Sequence, residues 1–160
     1  MSPKDRQMYA ADWFMCAAAI LCALLLVVVL INEPPRSVSD FLLDAFVIVA
    51  VPVIITWGWG ASLGATILDP SITQGAGQAA LRGLGVSGAS FLTYLFVLSF
   101  GIASLSNNSR GDFLKLFIIF LVYGTILVGW LVAIVGALTG VQLYKKIESE
   151  RIPAGDKTQA

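Results

Sequence analysis

Residues 56–70 read TWGWGASLGATILDP. Two Trp alternate with two Gly, small residues follow closely, and Asp69-Pro70 ends the run. Whether this is a loop, a ligand cradle or a helix face decides the fold. At 100° per residue Trp59, Leu63 and Ile67 fall on one side, while Gly58, Ala61, Ser62, Gly64 and Ala65 cover much of the other. Gly60 and Gly64 form a GxxxG pair, a spacing that lets a neighbouring helix backbone approach closely. The stretch therefore reads as the end of a membrane helix with a smooth packing face.

Its surroundings demand the same environment. Of 160 residues, 58% are hydrophobic and 12% charged, with a mean hydropathy of +0.85. A soluble domain carries about 25% charged residues and buries a single core. Stretches free of Asp, Glu, Lys and Arg run from Trp13 to Asn32, Ala45 to Leu68, Gly83 to Ser109 and Leu116 to Tyr144. Each exceeds the ~18–20 residues needed to cross a bilayer, where unpaired backbone groups find no water and a helix satisfies them internally. The expectation is an all-α integral membrane protein: an antiparallel bundle of four transmembrane helices at about 13–31, 42–67, 86–105 and 114–142. These make one domain over 13–143, between an N-terminal segment (1–12) and a polar tail (144–160).

Pro34-Pro35 should stop the first helix and Pro52 should kink the second. The first apolar run is too long for a signal-peptide core and lacks a small-x-small cleavage site, so it reads as a retained span. The N-terminal segment, middle loop and tail carry seven Lys and Arg, against three on the other two loops. The positive-inside rule then places both termini in the cytoplasm, and the expected location is a bacterial inner membrane.

Two further stripes resemble the opening one. Thr125, Gly129, Ala133, Gly136 and Gly140 recur at spacings of four, four, three and four, backed by bulky Tyr123, Leu127, Trp130, Ile134 and Leu138. Ser90, Thr93, Val97, Gly101 and Ser104 form a narrower stripe on the third span. Such stripes serve either as seams within the bundle or as a face for a second protein, and the fourth-span stripe is the first choice for a partner. The segment from Asp69 to Gly88, DPSITQGAGQAALRGLGVSG, reads as a Gly-rich cytoplasmic connector with a short helical core near Gln78 to Leu84. It lacks the βαβ context of a dinucleotide site and the GK[ST] ending of a P-loop.

Absences narrow the chemistry. With no His, His-ligated haem and a histidine relay are excluded. Cys16 and Cys22, six residues apart on one helix, face different directions and cannot bridge. No ionisable residue falls in the middle of any span, which argues against proton-coupled transport. Asp40, Asp44 and Glu33, with Arg36 beside them, read as a solvated loop, and the sequon-like Asn107-Asn108-Ser109 is assigned no role. The net charge is zero and no basic face invites nucleic acid. The expected function is a non-catalytic accessory subunit within a larger membrane complex, partnered by other membrane proteins and lipids. No cofactor is required, and a lipid, quinone or carotenoid would suit its apolar faces. The alternative is a homo-oligomeric channel or carrier for a small neutral solute, lined by Ser90, Thr93 and Ser104.

Overall fold

A computed structural model describes residues 3–32, 35, 37–69, 71–105 and 110–151. All regular structure among them is helical. Helix α1 runs Pro3–Asn32. Helix α2 (Val38–Ala45) passes through a wide π-turn (Phe46–Ala50) into α3 (Val51–Ser62) and a 3-10 turn (Gly64–Leu68). Helix α4 runs Ala76–Leu105. Helix α5 (Arg110–Gly124) passes through a second π-turn (Thr125–Gly129) into α6 (Trp130–Arg151). Four helical segments are long and apolar enough to cross a membrane: Lys4–Asn32, Val38–Ser62, Ala76–Ser104 and Phe113–Ser149. They are called spans 1 to 4 below.

The kink expected at Pro52 takes a particular form. Pro52 sits in the first turn of α3, where its missing N–H removes a donor from the helix ladder. The π-turn lies just before it, and the Val51 N–H bonds back to the Phe46 carbonyl, one residue further than an α-helix allows. The α2 start is capped by Ser37, whose hydroxyl accepts from the Asp40 amide at 3.1 Å.

Three expected boundaries move. Helix α4 begins at Ala76, so most of the Gly-rich connector is helix and the connection itself lies between Leu68 and Ala76. The N-terminal segment is helical from Pro3, because Ala10 and Ala11 are fully buried against span 2. The polar tail remains helical to Arg151, since Leu143 is fully buried in the core and Tyr144 and Ile147 pack against it. Glu33, Pro34, Arg36, the Asn107-Asn108-Ser109 triplet and the tail after Arg151 lie outside the described residues.

The core occupies one end of the bundle, here termed the base, where α1 starts and α6 ends. Ala10 and Phe14 meet Ile67 and Leu68, Ala79 and Val86, and Leu143 from the other three spans. Span 1 packs along span 2, span 2 on span 3, and span 3 on span 4, while spans 1 and 4 meet mainly through α6. Toward the opposite end, spans 1 and 4 therefore separate.

Candidate functional site

The base is assembled on glycines. A methyl group built on Gly83 would overlap the Gly136 carbonyl oxygen and lie 3.0 Å from the Gly140 Cα. One on Gly140 would overlap the Ala79 carbonyl oxygen, and one on Gly136 would strike the Ser87 side chain. Real Cβ atoms do not sit that close, so only Gly lets α4 and α6 approach to this distance. Spans 1 and 2 use the same device. A Cβ on Gly60 would lie 3.0 Å from the Ala11 Cα, and one on Gly64 3.1 Å from the Ala10 Cβ.

Polar contacts brace this end. Trp59 Nε1 donates to Thr93 Oγ1 at 3.0 Å, linking spans 2 and 3, while Thr93 donates to the Ala89 carbonyl. Below it, Arg82 donates to Thr66 Oγ1 at 2.9 Å, and Thr73 Oγ1 donates to the Thr66 carbonyl at 2.7 Å. Arg6 pairs with Asp69 at 3.6 Å, and Gln78 accepts from the Gln74 amide as α4 begins. The Lys146 ammonium stands 5.4 Å from the ring centres of both Tyr9 and Trp13, within cation–π range.

Above the base the four spans border an open-sided cavity of about 430 Å³. Span 1 contributes its line from Phe14 through Ala18, Cys22 and Leu25 to Val29. Span 2 supplies Ile48, Pro52 and Thr56, span 3 Ser90, Tyr94 and Leu98, and span 4 runs from Phe120 to Thr139. The Pro52 turn and both π-turns border it through Ile48, Pro52, Leu127 and Val128. Wide helical turns of this kind recur at functional sites. The cavity opens sideways where spans 1 and 4 part, and the lining residues Tyr123 and Leu127 are 62% and 66% exposed there.

The lining is mostly apolar, and three of its hydroxyls bond within their own helices. Ser87, Ser90 and Thr139 donate to the Leu84, Val86 and Val135 carbonyls of their own helices. Among the described residues no Asp, Glu, Lys or Arg lines it. Among the described residues no three His, Cys, Asp or Glu side chains gather as a metal site. Cys22 faces the cavity and is buried, while Cys16 is exposed.

The stripes read from the sequence are divided by this arrangement. Gly60 and Gly64 face span 1, with Ala61 and Ala65 half-buried beside them, but Gly58 has open space where a side chain would be. Ser90 lines the cavity, Thr93 serves Trp59, and Gly101 and Ser104 are exposed. The fourth-span stripe breaks in two. Gly136 and Gly140 are buried against span 3, so of the two expected readings they take the one of a seam within the bundle, and Ala133 is half-buried. Thr125 and Gly129 instead belong to the π-turn, where a methyl on Gly129 would meet only its own helix. A π-turn inserts one residue, about 100° of rotation, so a 3.6-residue period cannot carry a face across it.

Sequence reasoning placed Gly83 in a short helical core and Gly88 in the third span but left Gly85 between them, so it missed the continuity of α4 and missed the cavity altogether. Gly85 and Gly88 have open space at the Cβ position, and they lie on α4 between exposed Leu81 and Leu92. The spacing Leu81, Gly85, Gly88, Leu92 is a four-three-four helical seam that was legible once a helix was assumed. No family model matches this chain, and comparison with curated proteins and with solved structures gives no match either.

Proposed function

We propose that the chain is a non-catalytic subunit of a larger membrane protein assembly. It would sit in a bacterial inner membrane with its base and both termini on the cytoplasmic side, as the distribution of Lys and Arg suggests. What supports a partner is the seam on α4. Glycine within a helix is about 1 kcal/mol less favourable than Ala. At Gly60, Gly64, Gly83, Gly136 and Gly140 that cost is offset by close approach of another of the chain's own helices. At Gly85 and Gly88 none of the described residues occupies the notch, and a leucine stands on either side of it. In lipid, where water provides no drive for association, small-residue notches of this kind are where helices meet. The proposed partner contact is therefore Leu81, Gly85, Gly88 and Leu92.

The test is gentle extraction of the native membrane, size analysis, and identification of what co-migrates with wild type and with Gly85→Leu/Gly88→Leu. Wild type should run with other membrane proteins, and the variant should run alone with its helical content intact. A variant that keeps its partners sinks this face as the contact. A wild-type particle of this chain and lipid only would turn attention to the homo-oligomeric channel or carrier. That alternative has little geometric support, because Ser90, Thr93 and Ser104 do not share one path.

A further inference from the structure

We infer that the cavity between spans 1 and 4 is a binding site for a single long hydrocarbon chain that enters sideways from the membrane. The inference deepens the subunit reading by naming what the cavity holds, and it rests on that reading only in taking the four helices as membrane spans.

The length and chemistry of the lining select the occupant. Along span 1 the lining runs from Phe14 to Val29, about 22 Å at 1.5 Å per residue. One extended hydrocarbon chain lying parallel to the spans matches that length and the apolar walls. Water is a poor occupant, since Ser87, Ser90 and Thr139 already donate to backbone carbonyls and most of the lining is hydrocarbon.

The access route agrees with the shape. The floor is closed by the base, where Phe14 and Val86 are buried. The gap between spans 1 and 4 faces the surroundings, with exposed Tyr123 and Leu127 at its edge. Ala17 and Ala18 line the cavity from span 1 with small side chains. The chain class is shared by two sources, a lipid acyl chain and the isoprenoid tail of a quinone.

The purified full chain in detergent would be given one equivalent of either of two probes. One is a phosphatidylcholine with a mid-chain diazirine, and the other a benzoquinone with a diazirine-bearing isoprenoid tail. After irradiation, labelled residues are located by mass spectrometry. The expectation is at least fivefold more label at Cys22, Leu25 and Val128 than at Ile20 and Leu24 on the outward side of span 1. Ala17→Phe and Ala18→Phe, made separately, should each cut the inward label at least fivefold, while Ile20→Phe leaves it unchanged. Labelling by one probe alone identifies that source, and labelling by both means that the chain is recognised without its headgroup. Equal labelling of both faces, no labelling by either probe, or inward label that survives both filling substitutions overturns the site. If one filled variant does not fold, the other still decides. Gly85 and Gly88 point about 120° away from the cavity face of α4, so this result and the partner test fail independently.

Discussion

The two ends of this bundle are built from the same four helices and solve opposite problems. At the base, glycines bring backbones together, Ala10, Ala79 and Leu143 are fully buried, and every span contributes to one core. Toward the other end both interrupted spans carry a π-turn, large apolar residues are exposed, and spans 1 and 4 leave a slot between them. In lipid an apolar side chain gains little from being inside protein. What holds helices together is the number of close atomic contacts, which small residues multiply. Bulky residues without glycine partners leave gaps, and those gaps suit a ligand.

The largest effect should come from Gly83→Leu, which forces a side chain into the Gly136 carbonyl. Overpacking of this severity should cost about 3 kcal/mol or more and separate α4 from α6. Thermal unfolding in detergent would measure it, and a variant as stable as wild type would break the account of the base. Next come two matched truncations. Leu143→Ala, at a fully buried position, should cost about 1–3 kcal/mol, below the ~2–5 of a soluble core because lipid removes much of the transfer term. Leu25→Ala, which already faces the slot, should cost under about 0.5 kcal/mol, because it enlarges an existing cavity instead of creating one. Equal losses at the two positions would erase the distinction between the ends. The smallest effect is expected of Trp59→Phe, which removes the bond to Thr93 while keeping the ring. Hydrogen bonds between membrane helices average about 0.6 kcal/mol, so the unfolding midpoint should move only slightly.

The four helices were legible because charge-free length and hydropathy depend on composition alone. The seam at Gly60 and Gly64 was legible as well, since its spacing is local. Its partner was not, because a period identifies a face without naming the helix that meets it. The glycines around Gly85 misled in the other direction. Their density split the reading into a short helical core ending near Leu84 and a span beginning near 86, yet α4 runs unbroken through them, with Gly83 held against Gly136 and Gly140, residues remote in sequence. The division of the fourth-span stripe lay beyond periodicity altogether, since the wide turn at Thr125–Gly129 changes the period on which the reading depends. The cavity arises from where spans 1 and 4 diverge, which is a property of the assembled bundle.

Lys146, resting on Tyr9 and Trp13, joins the last helix to the first. During synthesis span 1 leaves the ribosome long before the residues that complete its surroundings exist. Until α6 emerges, the base has no fourth wall, and the Tyr9 and Trp13 rings have no cation above them. Closure of the bundle is thus tied to the emergence of α6, and a chain stalled short of Lys146 would leave the first helix unsealed.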